Sequence, residues 1–372
     1  MTASVERSVA TSEDRRSPGQ EMAVRRQVIS TGAVRFEMDV HPDAAPIVDR
    51  ALACLRPVFR DDAPEGEADF RLSIQPYDAL PDVVTDHAAE PFVLRRSSAL
   101  AFNFTLSIGD APDGRRVGID PHHQTAYLSD PDARTLTIHV SRDSHYHLLE
   151  TLRYTALAAE QARGATILHA SAAMARDCAV LVLGDKGRGK STTLLKLLLT
   201  HRLGYLSGDK VLIDVHRGRL RLRGWPDYPH VGIGTLSMFP ELAKACGIEL
   251  VDGSGAPRPA GEKVLVEPSV YVRALGVPVA TEATVCRALI FPDVRSDVDT
   301  IHRADRHAVR KALLRGATED ARIFTPGQWH GLIETPPPQP EERLVSLLQE
   351  AGWFEAAGKT VDLGAIIEAS AQ

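Results

Sequence analysis

Apolar residues recur at every second position from Val34 to Val40, where Val34, Phe36, Met38 and Val40 alternate with Arg35, Glu37 and Asp39. A period of two is the signature of a half-buried strand. The same alternation marks Phe70/Leu72/Ile74, Phe102/Phe104/Leu106, Val117/Ile119 and Leu136/Ile138/Val140. Turn-forming clusters such as Ala111-Pro112-Asp113-Gly114 separate these runs, and a helix is predicted around 47–55. Residues 27–163 therefore read as a strand-rich α+β domain whose strands are expected to be antiparallel.

The period changes between Asp143 and Arg163, where Leu148, Leu149, Leu152, Ala156 and Ala159 fall at helical spacing and Gly164 stands ready to cap the end. We place a domain boundary at that glycine. Beyond it comes an apolar strand, Ala179 to Leu183, then a glycine-rich turn, a helix from Ser191 to Thr200 and a strand from Val211 to Val215. Alternating strands and helices predict an α/β unit over residues 164–325. Further strands are predicted at 264–266 and 285–291, with a helix at 306–314. Residues 326–372 read as a linker rich in proline, including Pro336-Pro337-Pro338, followed by an amphipathic helix carrying Leu344, Leu347 and Leu348.

Composition narrows the classes. A hydrophobic fraction of 44% with 25% charged residues belongs to a folded globular chain. At about 150 residues per domain, 372 residues make roughly two domains. Lys and Arg total 43 against 49 Asp and Glu, so the net charge of −6 argues against nucleic acid or an anionic membrane as partner. Residues 1–26 mix Ser, Glu, Asp and Arg without an apolar segment and are expected to be a disordered tail. Cys54, Cys178, Cys246 and Cys286 stand far apart with no C-x-x-C pair, which fits a reducing, cytoplasmic setting.

One segment carries strong chemistry. Gly184-Asp185-Lys186-Gly187-Arg188-Gly189-Lys190-Ser191 satisfies G-x-x-x-x-G-K-[ST], between an apolar strand and a helix. Glycines let successive amides turn inward around phosphate oxygens, and the helix start adds its positive dipole end. Lys190 is placed to reach the β- and γ-phosphates of ATP, and the Ser191 hydroxyl is the expected protein ligand of Mg²⁺. Thr192 completes the predicted nucleotide-binding set. His122-His123 and His145-x-His147 have no cysteine or acidic partner at metal-site spacing, so solvated or capping roles are expected for them.

His169, in Leu168-His169-Ala170-Ser171, stands fifteen positions before Gly184, and Ser207-Gly208-Asp209-Lys210 follows the first helix. With the glycine loop, this arrangement resembles the catalytic domain of the HPr kinase/phosphorylase family over roughly residues 165–235. The resemblance implies an HPr kinase-like P-loop fold, ATP and Mg²⁺ as cofactors, and assembly into oligomers. It places His169 beside the nucleotide phosphates or the acceptor. Asp209 matches the second member of the family's acidic pair, as general base and second metal ligand, while Gly208 stands where the first would be. Leu220-Arg221-Leu222-Arg223-Gly224 is similar to the family's I-E-I-R-G signature, which implies a charge-stabilising role for Arg223 but puts Arg221 where an acid is expected. A Walker-B-like metal bridge is the alternative role for Asp209, and solvated positions are expected for Lys263 and Arg188.

Three functions follow from this reading. The first is an ATP-dependent kinase acting on a Ser or Thr hydroxyl of a peptide or small protein, recruited through strand edges of the N-terminal region. The others are a kinase of a small metabolite and an ATP-binding regulatory module that transfers no phosphate.

Overall fold

The computed structural model describes residues 23–63, 65–95, 102–323, 329–333 and 341–371. Its first half contains β1 (Arg25–Ser30), β2 (Arg35–Val40), α1 (Ala45–Leu55), β3 (Arg60–Asp61), β4 (Phe70–Pro76) and α2 (Asp82–His87). There follow β5 (Glu90–Arg95), β6 (Phe104–Asp110), β7 (Arg116–Asp120), β8 (Thr125–Asp130), β9 (Thr135–Val140) and α3 (His145–Ala162). These strands form one nine-stranded sheet in the order β3-β1-β2-β4-β9-β8-β7-β6-β5. The alternating residues do what their spacing predicts: Phe36, Met38, Val40, Leu72 and Ile74 all face the core.

The expectation of antiparallel pairing fails at the centre. β2 pairs with β4, and β4 with β9, in parallel. Alternation records which face a residue occupies but not which strand lies beside it. The chain leaves β2 through α1 and returns alongside, as a parallel pair requires of its crossover. The first strand also starts at Arg25, inside the expected tail, while residues 1–22 and the Pro336-Pro337-Pro338 run lie outside the described residues.

The second half has β10 (Thr166–His169), β11 (Ser171–Ala175), β12 (Cys178–Val182), α4 (Lys190–Leu195), β13 (Gly204–Ser207), β14 (Lys210–His216) and β15 (Arg219–Gly224). Next come β16 (His230–Gly232), α5 (Ile233–Leu236), α6 (Pro240–Ala245), β17 (Lys263–Leu265), α7 (Pro268–Leu275), β18 (Glu282–Ala283) and β19 (Val285–Asp293). The last elements are β20 (Thr300–Arg303), α8 (Arg306–Ile323), α9 (Glu341–Leu347), β21 (Gly352–Ala357) and α10 (Gly364–Ala371). A six-stranded sheet runs β13-β11-β12-β19-β21-β20, beside a four-stranded sheet β10-β14-β15-β18 and a small pair, β16-β17. The molecule is thus a mixed α/β protein with several sheets.

In the six-stranded sheet β12, β19 and β21 are mutually parallel, and the glycine-rich turn leaves the carboxyl end of β12. One face is covered by Leu194, Leu195, Leu197 and Leu198. The other packs against Val309 and Leu313 of α8 and Leu344 and Leu348 around α9. The stretch read as a linker and a helix contributes more than that. β21 is an interior strand, and Trp329 and Leu332 join the core of the nine-stranded sheet. A Cβ on Gly118 would come within 2.7 Å of the Trp329 ring, so that glycine admits the indole.

Helix α3 lies between the halves and is buried along almost its whole length. Its charged residues are therefore paired. Glu150 meets Arg95 and Arg153, Arg153 donates to Asp227 at 3.1 Å, and Glu160 accepts from Arg223 through both oxygens at 2.6 Å.

Candidate functional site

The turn after β12 is shaped by glycine. Gly184, Gly187 and Gly189 have φ of 151°, 80° and 104°, a region in which side-chain-bearing residues are strained. Contact from the neighbouring strand also excludes side chains, because a Cβ on Gly189 would lie 2.4 Å from Val294 and one on Gly187 would lie 2.6 Å from the Arg295 guanidinium. Val294 N–H donates to the Arg188 carbonyl at 3.1 Å and fixes the loop to the end of β19. Lys190 Nζ donates to the Gly184 carbonyl at 2.7 Å, closing the loop into a ring with its ammonium on the rim. Ser191 is exposed at the first turn of α4.

Around this ring the charges are predominantly positive. Arg188 pairs with Asp293 and Arg315 pairs with Asp185, while Lys186 is exposed. Neither Asp293 nor Arg315 was singled out from the sequence. Asp293 closes the apolar run Ala288-Leu289-Ile290-Phe291-Pro292 on a strand parallel to β12, and that run ending in an acid was the legible signal. Open α/β sheets bind ligands at the carboxyl ends of parallel strands, which is where the loop and Asp293 meet.

The structure brings His169 to this loop. One small cavity is lined by His169, Gly184, Asp185 and Arg315. His169 Nε2 stands 3.4 Å from Asp209 Oδ1, and Lys210 Nζ lies 2.7 Å from Asp209 Oδ2. Both arise from strand pairing: β10 and β14 pair so that His169 lies opposite Lys210, and Ser171 Oγ donates to the Gly208 carbonyl at 2.6 Å to hold the turn. Burial acts to raise the Asp209 carboxyl, but Lys210, His169 and Arg153 outweigh it and hold that group well below the usual carboxylate range. Asp227 behaves oppositely, since burial and then the negative charge of Asp209 push it up. Two carboxyls driven apart by their surroundings are a pattern of acid–base sites.

Two predicted residues have other company. Arg223 is 7% exposed and its guanidinium is engaged by Glu160 and Asp214, so in this structure it serves the seam beside α3 rather than the loop. Arg221 makes two bonds of 2.9 Å to the same Asp214, so the position expected to be acidic holds a cation already neutralised. Thr192 is buried with its hydroxyl 3.1 Å from that of Thr235. His145 and His147, expected to be solvated or capping, are buried at 7% and 0% exposure.

The glycine ring with its surrounding cations fits an anionic polyphosphate. The Ser191 hydroxyl and the carboxylates of Asp209 and Asp293 are oxygen donors of the kind a hard divalent cation takes.

No family profile matches the chain, and no curated protein matches it. Among solved structures the chain is similar to the HPr(Ser) kinase/phosphatase of Coxiella burnetii. The identity is 14%, over 37% of this chain and 72% of that one, with a TM-score of 0.20. Among the described residues no helix is long and apolar enough to cross a membrane.

Proposed function

We propose that the chain is an ATP-dependent phosphotransferase, HPr kinase-like in its catalytic part, which passes the γ-phosphoryl group to a Ser or Thr hydroxyl of a peptide or small protein. The observation that carries this reading is the convergence of His169 on two partners. It lines the cavity at Gly184 and Asp185 and stands 3.4 Å from Asp209, a carboxylate held ionised.

In this reading the loop amides and Lys190 bind the phosphate chain, and Arg188 and Arg315 add compensating charge. Ser191, with Asp209 or Asp293, would hold Mg²⁺, which when bound neutralises charge on the β- and γ-phosphate oxygens. Asp209 takes the proton of the acceptor hydroxyl, and His169 orients that carboxylate through Nε2. Lys210 must swing off Asp209 or share it when the acceptor arrives. The edge of the nine-stranded sheet at β5 suits an extended peptide that adds as a further strand.

The engagement of Asp209 by Lys210, together with Gly208 and Arg221 at two positions expected to be acidic, favours a second reading, a nucleotide-binding module without transfer. Labelled ATP with Ser-containing peptides, small hydroxyl metabolites and no acceptor separates these readings. Label on a peptide supports the first, label on a metabolite replaces its acceptor, and binding without turnover overturns transfer.

A further inference from the structure

The β7–β8 turn and the first turns of α3 meet on the nine-stranded half and bring together Asp120, His122, His123 and His147. The sequence separates the last from the others by more than twenty positions. We propose that Asp120, His122 and His123 form a tetrahedral site for a divalent cation of the zinc class, its fourth position left to water, with His147 of α3 orienting the Asp120 carboxylate from behind.

The carboxylate is already oriented. Asp120 is 4% exposed, and its Oδ1 accepts the backbone N–H groups of His122 and His123 at 3.0 and 3.2 Å. That leaves Oδ2 as the point on which imidazoles converge: His123 Nδ1 lies 2.8 Å away and His147 Nε2 3.0 Å away. The ligand atoms of Asp120, His122 and His123 all lie within 4.8 Å of one another. Adjacent ligands in a tetrahedral zinc site stand about 3.3 Å apart, given metal–ligand bonds near 2.0 Å. The Asp120–His123 separation approaches that figure from below, so an ion enters by widening it a few tenths of an ångström while exposed His122 closes in.

The second layer of contacts matches what a metal-bound carboxylate needs. His147 Nδ1 lies 3.1 Å from the Tyr127 hydroxyl, which lies 3.1 Å from Thr151 Oγ1. Without a cation, His147 donates its Nε2 proton to Asp120. A cation leaves that bond in place, and His147 Nδ1 accepts from the Tyr127 hydroxyl. His123 likewise carries its proton on Nε2 and ligates through Nδ1. The Phe104 ring packs against both, 5.3 Å from His123 and 4.1 Å from His147, and limits their rotation. Two imidazoles and one carboxylate suit zinc, cobalt or nickel rather than calcium or magnesium.

Untagged full-length protein, stripped with chelator, is titrated with Co²⁺ and then with Zn²⁺. The expected result is one Co²⁺ per chain with the intense visible absorption of a tetrahedral site, bleached by one equivalent of Zn²⁺. His122→Ala removes an exposed ligand without opening the core and is expected to weaken binding by more than the roughly 10–100-fold that loss of an outer partner costs. His123→Gln is the companion variant. Zn²⁺ should raise the melting temperature of the parent chain and leave that of His122→Ala unchanged. Absence of stoichiometric binding, an octahedral cobalt spectrum, or equal affinity in parent and His122→Ala would each overturn the site.

Discussion

Asp209 and Asp120 are both aspartates approached by histidine, one in each half of the molecule, and their remaining neighbours differ. Asp209 has Lys210 at 2.7 Å, His169 at 3.4 Å and Arg153 acting on it from α3. Among the described residues the ion-pair partners of Asp120 are His123 and His147. In both cases burial raises the carboxyl and the neighbours outweigh it, leaving each well below the usual range. What differs is the sign of the surroundings. Permanent cations around Asp209 keep its carboxylate ionised and, in the proposed reading, suit that end of the fold to phosphates. Imidazole nitrogens offer lone pairs, which with the carboxylate make the Asp120 cluster a donor set fit for a cation. The company of a carboxylate, more than its histidine, decides which charge it serves.

The largest effect that sharpens this contrast is Lys190→Ala, which takes the ammonium from the ring and is expected to remove measurable ATP binding, read by calorimetry on folded protein. Asp209→Asn comes next: nucleotide binding is retained and transfer falls by about 10²–10⁴-fold. Asp120→Asn, by contrast, leaves turnover per folded molecule unchanged, and an equal loss in both variants would erase the distinction between the halves.

Arg223→Ala tests whether cations near the seam hold the fold or the phosphates. Stranding buried Glu160 is expected to cost about 3–5 kcal/mol in urea unfolding. The kcat of the folded fraction should hold, and a selective fall in kcat would return Arg223 to the reaction.

Acid is expected to act on histidines before carboxylates. Burial, then Arg116, lowers His330 to about 3, and burial, then Arg95 and Lys263, lowers His230 to about 4. The unfolded chain takes up these protons first, near pH 6.5, so stability is full above that pH and declines towards pH 4, by at most about 1.4 kcal/mol per histidine per unit. His330 Nδ1 accepts the Leu332 N–H at 3.2 Å, a bond that protonation destroys. Urea midpoints measured across that range check the slope, and a flat profile above pH 4 would contradict it.

The smallest effect is expected from Gly208→Asp. Its Cβ would lie 3.0 Å from the Tyr205 hydroxyl, the movable end of a side chain, so the variant folds. A modest rise in transfer in the labelled-ATP assay is the expected outcome.

Much of this was legible in the chain. Strands such as β2, β4 and β9 announce themselves because one face is buried and the other wet, and the glycine loop because its positive-φ turns demand glycine. β11 was missed because Ser171-Ala172-Ala173-Met174-Ala175 lacks the branched side chains that mark a strand. β21 was missed because its buried Trp353, Phe354 and Ala356 do not alternate over enough residues to show a period. At the site, His169 and Asp209 were named in advance, but their contact depends on the pairing of β10 with β14. Asp227, Asp293 and Arg315 owe their positions to tertiary packing alone, as does the meeting of His147 with Asp120. Local pattern records burial and turn chemistry, and it is silent on which distant segments become neighbours.

Helix α3 bears on how the protein must be handled. The cluster that surrounds it draws Phe36 and Leu72 from one half and Ile167, Leu212, Trp225 and Tyr228 from the other. A cut at Gly164 would therefore leave each fragment with a raw greasy flank, and would turn Glu150, Arg153 and Glu160 from internal rivets into loose charges. Neither piece is a sensible expression target. Heating should melt the whole chain in a single step, and loosening of the cradle should be felt on the far side of the helix.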